Sequence, residues 1–183
     1  DDENAEYFLQ FSAEQKIGYT LATNDQRQTK NDMLVVAHDI SVQSSGSNFM
    51  VDSTKFHLNI LGKFNVYNAL AAIAVTRNEG ISLETAARAL EKIKTVPGRV
   101  EFIDCGQSFK VIVDYAHEPR SLEEIFKTAR LLEPKRIIHV FGPTGGGRDT
   151  ETRKKLGEIS VRNANITIIT TDDPYDDDPR ELA

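Results

Sequence analysis

The second half of the chain alternates between two hydrophobic periods, and that alternation leaves few architectures open. "FKVIVDY" (Phe109–Tyr115), "RIIHVF" (Arg136–Phe141) and "ITIITT" (Ile166–Thr171) are short apolar runs of strand type. Between the first two, Leu122, Ile125, Phe126, Ala129 and Leu132 recur at helical spacing, with Ser121 and Glu124 spaced as a capping box. Between the last two, a charged stretch from Thr150 to Asn163 carries Leu156 and Ile159 as its inward positions. Strand–helix–strand–helix–strand predicts a parallel sheet with right-handed crossovers. Ligands of such sheets bind beyond the carboxyl ends of the strands. Three unusual segments stand there: "DYAHEP", "GPTGGGRD" and "DDPYDDDP".

The first half reads differently. From Leu34 to Ile60 apolar and polar residues alternate, with a turn at "SSGS" (Ser44–Ser47), which predicts antiparallel strands. "NVYNALAAIAV" then switches to helical composition and ends near Gly80, a natural C-cap. After Ser82, the spacing of Leu83, Ala86, Ala87, Leu90 and Ile93 predicts a second helix. "TVPGR" (Thr95–Arg99) breaks the pattern, which makes it the candidate domain boundary, with a hinge near Pro97–Gly98.

The 183 residues suffice for one good core or two small ones. A hydrophobic content of 39% with 27% charged residues fits a globular protein outside the membrane. The net charge of −6 offers no basic footprint for nucleic acid. No apolar run approaches the ~20 residues that cross a bilayer. One cysteine, Cys105, excludes an internal disulfide framework and suits a reducing cytoplasm. The chain opens on "DDENAEYF" without Met, and its last residues, Asp178 and Pro179 onward, read as the cap and start of a helix; a piece of a longer protein is expected.

"FGPTGGGRD" nearly fits a phosphate-binding P-loop, with four residues between Gly142 and Gly147. The next positions are Arg148 and Asp149, where that loop needs Lys and a hydroxyl. Asp149 would repel phosphates, whereas Arg148 offers a planar fork suited to a carboxylate. The segment therefore reads as a carboxylate or weak anion site, against the plain alternative of a glycine-rich surface loop. Asp114 and His117 in "VDYAHEP" could meet a ligand as acceptor and donor; a capping turn is an equal alternative. Asn65 and Asn68 stand at i, i+3 in "GKFNVYNALAA", where Asn can pair with an adenine edge, although ordinary N-capping explains them as well. Of the five acids in "DDPYDDDP", Asp172 and Asp173 sit at a strand end and could face a cationic group, while Asp176, Asp177 and Asp178 read as a solvated loop before a helix. His57 and His139 lie in strand-like runs and read as structural.

Together and in this order, "GKFNVYNALAA", "VPGRVE", "VIVDYAHEP", "FGPTGGGRD" and "TDDPYDDDP" resemble the Mur ligases over essentially the whole chain. The resemblance implies an α/β chain in two parts. Residues 1–97 would be the end of a central ATPase domain, with antiparallel strands and helices. Residues 98–183 would be most of a Rossmann-like C-terminal domain. It implies ATP-dependent amide formation on UDP-N-acetylmuramoyl-dipeptide in peptidoglycan synthesis, by a cytoplasmic monomer without nucleic-acid or membrane partners. Carried over by position, Asn65 and Asn68 would face adenine. Arg99 would sit at the phosphates, and Asp114 and His117 would approach ribose and phosphates. Arg148 would clamp the α-carboxylate of the incoming amino acid, with Asp172, Asp173 and Tyr175 at its distal end. ATP and Mg2+ are the implied cofactors; the P-loop and the magnesium ligands are expected outside these residues, and the fragment alone is expected to be inactive.

Family members using meso-diaminopimelate carry Asp-Asn-Pro-Arg where this chain has Asp172, Asp173, Pro174 and Tyr175. Two acids without the arginine should favour a distal ammonium over a distal carboxylate, which points to a lysine-type amino acid. The alternatives are a sister ligase of the folylpolyglutamate or cyanophycin synthetase type and, from another class, a non-catalytic nucleotide- or amino-acid-binding module.

Overall fold

The computed structural model describes residues 4–21, 33–147 and 150–182. It divides into two compact units, Asp1–Glu101 and Phe102–Ala183.

The first unit opens with a short helix, α1 (Ala5–Leu9), and a strand, β1 (Ile17–Thr20), that the alternation did not predict. β1 runs parallel to β2 (Met33–Gln43), which continues into the expected antiparallel strands β3 (Gly46–Val51) and β4 (Thr54–Leu58). The sheet order is β1-β2-β3-β4. One face buries alternate residues: Val35 and Ala37, Phe49 and Val51, Phe56 and Leu58. Phe49 and Phe56 are cross-strand partners and stack at 5.1 Å. Against this face lies α2 (Lys63–Asn78), whose Val66, Ala69, Leu70, Ile73 and Ala74 form the helical counterpart of that stripe. Each large side chain buried here contributes about 1.5–3 kcal/mol by leaving water.

α2 ends as its sequence demands. Gly80 has φ +80°, and its N–H donates to the Arg77 carbonyl while that of Ile81 donates to Thr76, closing a Schellman motif. Ser82 then caps α3 (Leu83–Glu91) by accepting from the Thr85 N–H. The chain leaves the unit through a turn in which the Arg99 N–H donates to Val96 and that of Gly98, at φ +67°, donates to the Glu101 carboxylate.

The second unit contains β5 (Glu101–Ile103), β6 (Val111–Val113), α4 (Pro119–Arg130), β7 (Ile138–Phe141), α5 (Thr150–Asn163), β8 (Ile166–Ile169) and α6 (Pro179–Leu182). β7 and β8 pair in parallel with α5 as their crossover, as the alternation predicts. The remaining strand of the three behaves differently: β6 is three residues long and pairs with β5, so among the described residues the unit's strands form two separate pairs, β5 with β6 and β7 with β8. α4 also starts earlier than the capping-box spacing suggests. Pro119 occupies its first turn, because a ring-fixed φ suits a position that needs no N–H partner, and Ser121 lies inside the helix. A small core of Leu122, Phe126, Leu156 and Ile159 joins α4 to α5, with Ile137, Phe141 and Ala164 against it. Beside it, His139 donates to or accepts from the fully buried Ser160 hydroxyl at 2.7 Å, which meets Thr167 at 2.9 Å. Burial pushes the His139 imidazole below its usual pKa.

Candidate functional site

At the carboxyl ends of β7 and β8, two loops are laced together. The β7–β8 ladder continues through the Thr170 N–H, which donates to Phe141. Beyond it, the Gly145 N–H donates to the Asp173 carbonyl at 2.8 Å, and the Thr144 hydroxyl reaches the Asp172 carboxylate at 3.4 Å. The Gly146 N–H donates to the Asp177 carboxylate at 3.0 Å, and the same oxygen lies 3.6 Å from an Arg153 guanidinium nitrogen on α5.

The glycines in this segment have a local reason. A Cβ on Gly145 would stand 2.1 Å from the Pro174 carbonyl oxygen, and one on Gly142 would stand 2.6 Å from both Asp172 N and Thr170 O. No side chain fits where two backbones approach so closely. Within the described residues, two of these glycines are accounted for by loop-to-loop packing.

Tyr175 lies on this surface with φ +51°. Its ring covers Gly146, whose added Cβ would come within 3.0–3.4 Å of the ring carbons, yet 61% of the residue stays exposed. Asp172 and Asp173 are exposed beside it. The structure therefore gathers Asp172, Asp173 and Tyr175 with the glycine segment, as the sequence suggested, whereas Arg148 lies outside the described residues. Asp178 accepts from the Arg180 N–H at 2.8 Å and starts α6 at Pro179, the expected cap. Asp177, read from sequence as a solvated acid, is half-buried and ties the two loops together. Sequence spacing gives no sign of that, because the contact depends on the turn in which its N–H returns to the Pro174 carbonyl.

Asp114 and His117 share the turn between β6 and α4. An Asp114 carboxylate oxygen accepts from the Ala116 N–H at 2.8 Å, the capping turn weighed in the sequence. His117 is exposed, and its Nδ1 lies 3.0 Å from the Tyr115 carbonyl. A carbonyl only accepts, so Nδ1 donates there, while Nε2 lies 3.9 Å from a Glu118 carboxylate oxygen. The Tyr115 ring packs edge-on against it at 5.1 Å.

In the first unit the two asparagines are joined. Asn65 is buried; its amide donates to the Leu61 carbonyl at 2.6 Å and its Oδ1 accepts from Asn68 at 3.0 Å. Asn68 is the exposed member of the pair. Arg99 is exposed on the turn that closes the unit. His57 bridges Asn48 and Asn59, and His139 bridges to Ser160, so both are built into the fold. Among the described residues, no group of three or more His, Cys, Asp or Glu could hold a metal ion, and no helix is long and apolar enough to cross a membrane.

Residues 1–76 match the Mur ligase middle domain and residues 98–183 the Mur ligase glutamate ligase domain. A protein of Geobacillus kaustophilus named UDP-N-acetylmuramoyl-L-alanyl-D-glutamate–2,6-diaminopimelate ligase is 38% identical over all of this chain and 36% of its own length. A protein of the same name from Syntrophomonas wolfei is 41% identical, over 80% of this chain and 30% of its own length. The crystal structure of the UDP-N-acetylmuramate–alanine ligase of Thermotoga maritima superposes with a TM-score of 0.63 at 25% identity, covering 81% of this chain and 34% of that one. The chain thus spans about a third of the length of these relatives, and it belongs to the Mur ligase family.

Proposed function

We propose that this chain supplies the adenine–ribose side and the amino-acid side of an ATP-dependent ligase that adds the third amino acid to UDP-N-acetylmuramoyl-dipeptide. The observation that carries the reading is the laced pair of loops beyond β7 and β8. It sets exposed Asp172, Asp173 and Tyr175 against the glycine segment that leads into Arg148. The domain boundary is proposed at about residue 97, with a hinge near Pro97–Gly98; the C-terminal match beginning at residue 98 and the positive φ of Gly98 support it.

ATP would supply the phosphoryl group that turns the dipeptide carboxylate into an acyl phosphate, an electrophile that an amine can attack. The residues of this chain bind and orient. Asn68 faces the adenine edge, and Asn65 holds it in place from inside the core. Asp114 meets the ribose hydroxyls with its carboxylate, while His117 and Arg99 approach the phosphates. Arg148 clamps the α-carboxylate of the amino acid, and Asp172, Asp173 and Tyr175 take its distal end. Orientation of this kind replaces the entropy loss of a bimolecular encounter with binding energy. The glycine segment has Arg148 and Asp149 where a P-loop needs Lys and a hydroxyl, so the triphosphate cradle and its magnesium ion are assigned to other parts of the parent enzyme. A monomeric, cytoplasmic enzyme completes the reading.

Two acids with no arginine between Asp172 and Tyr175 favour a lysine-type substrate. The names of the relatives favour the second reading, 2,6-diaminopimelate. In the full-length parent, kcat/KM for lysine, ornithine and meso-diaminopimelate decides between them. A tenfold preference for meso-diaminopimelate, about 1.4 kcal/mol, would overturn the lysine reading. The general reading is tested by Arg148→Ala, which should raise the amino-acid KM far more than the ATP KM. Losing a desolvated charge pair costs about 2–5 kcal/mol. Phosphate release without any amino-acid dependence would refute ligation.

A further inference from the structure

We infer that Asp177, braced by Arg153, is the positioning residue of the amino-acid half-site: one carboxylate oxygen fixes the acid-rich loop against the glycine loop. The inference rests on the reading of these loops as the amino-acid site.

Three segments meet at that oxygen. The glycine loop contributes the Gly146 N–H at 3.0 Å. α5 contributes Arg153, whose guanidinium is 3.6 Å away and whose side chain is 18% exposed. The acid loop contributes Asp177 itself, folded back by its N–H to the Pro174 carbonyl at 3.0 Å. The space is filled to contact, because a Cβ on Gly145 would come within 2.9 Å of the same oxygen. The two anchors, Asp173 O–Gly145 N and Asp177 Oδ2–Gly146 N, lie on either side of Pro174 and Tyr175 and hold them against the glycine loop. Tyr175 rides on Gly146, with its backbone at a positive φ that a free loop would relax. The Asp177 oxygen is engaged by the Gly146 N–H and by Arg153, whereas Asp172, Asp173 and Tyr175 are exposed. Its role is therefore to position those residues.

A residue that only stabilises the fold would change melting temperature and leave substrate discrimination alone. A positioning residue changes how the amino acid is read. In the full-length parent, Asp177→Ala should raise the amino-acid KM about tenfold and flatten the kcat/KM ratio between lysine and meso-diaminopimelate, with the ATP KM within twofold of the parent's. Asp177→Asn keeps an acceptor for the Gly146 N–H but loses the charge facing Arg153, so it should fall between. It also decides the question if the alanine variant does not fold. Unchanged amino-acid KM and unchanged discrimination in a folded Asn or Ala variant overturn the inference, as does a parallel rise in the ATP KM. Arg148→Ala separates the two failures. If it raises the amino-acid KM while Asp177 variants do not, the site stands and the brace falls. If it leaves the amino-acid KM unmoved, the site reading falls and takes the brace with it.

Discussion

The two units hold their candidate residues in opposite ways. In the first, Asn65 is part of the core that packs α2 against the sheet, and the exposed Asn68 hangs from it by one hydrogen bond. In the second, Asp172, Asp173 and Tyr175 sit on loops outside a core of four side chains, held by backbone lacing between β7 and β8. A site grown from a core is coupled to stability; a site laced from loops is coupled to geometry. Substitutions should therefore separate stability from recognition in one unit and not in the other.

The largest effect belongs to the first core. Phe49 and Phe56 are almost fully buried and stacked on each other, so Phe49→Ala leaves a cavity on both strands. It should destabilise the first unit by about 3–5 kcal/mol. Hydrogen exchange should show faster opening across β2, β3 and β4, with Leu122 and Leu156 in the second unit unaffected. Equal loss of protection in both units would mean that they are one cooperative body.

The next effect tests the coupling itself. Asn65→Ala removes a buried donor and acceptor together and leaves the Leu61 carbonyl without that partner, which should cost about 1–3 kcal/mol of stability. Asn68→Ala, on the surface, should cost under about 0.5 kcal/mol. In the parent enzyme both should raise the ATP KM. If only Asn68→Ala does, Asn65 is a fold residue with no bearing on the nucleotide.

In the second unit the matching experiment is Gly145→Ala. The new methyl would stand 2.1 Å from the Pro174 oxygen, so the two loops must part. Strain of this kind costs about 1–3 kcal/mol when rigid neighbours absorb it; loops can move instead, so the stability loss should fall at the lower end. The amino-acid KM should rise more than stability falls. A large drop in melting temperature with an unchanged KM would show that the lacing serves the fold alone.

How much of this was legible follows from the range of each contact. The α2 stripe, the Gly80 cap and the Ser82 cap depend on neighbours within a few residues, and the β7–α5–β8 crossover, although its strands pair 28 positions apart, shows as a change of hydrophobic period along the chain. β1 has no such signal: four residues pair with a strand that begins sixteen positions later, at Met33. Periodicity places β6 in the parallel run, but its hydrogen bonds go to β5, a choice between partners that periodicity cannot make. At the site, Asp172, Asp173 and Tyr175 were visible as an odd string of residues at a strand end. Asp177 reads as solvated in the sequence because its partners, Gly146 and Arg153, are 31 and 24 positions away. Asn65 and Asn68 look equivalent in sequence; Asn65 is buried because it lies on the face of α2 that carries Val66, Ala69, Leu70 and Ile73.

The smallest effect gives the comparison a sign. His38 in the first unit has its pKa raised, first by the hydrogen bond to the Asp39 carboxylate at 3.0 Å and then by that to the Asp52 carbonyl. A raised value means that the folded state binds the proton more tightly than the unfolded chain. That contribution is fully present below the ordinary histidine value of 6.5 and is lost as pH rises through the folded value. His139 in the second unit has its pKa lowered by burial between Phe126, Phe141 and Ser160. Here the unfolded state binds the proton more tightly, so stability is present above 6.5 and is lost as pH falls through the folded value. Acidification from pH 7.5 toward 5.5 should therefore weaken the second unit while slightly favouring the first. Hydrogen exchange at Leu122 and Leu156 against Phe49 and Leu70 reads the two separately. His139→Phe, which keeps an aromatic ring beside Phe126 and Phe141, should remove the acid sensitivity of the second unit although it loses the Ser160 bond. A second unit that still weakens below pH 6.5 in that variant would place the titrating group elsewhere.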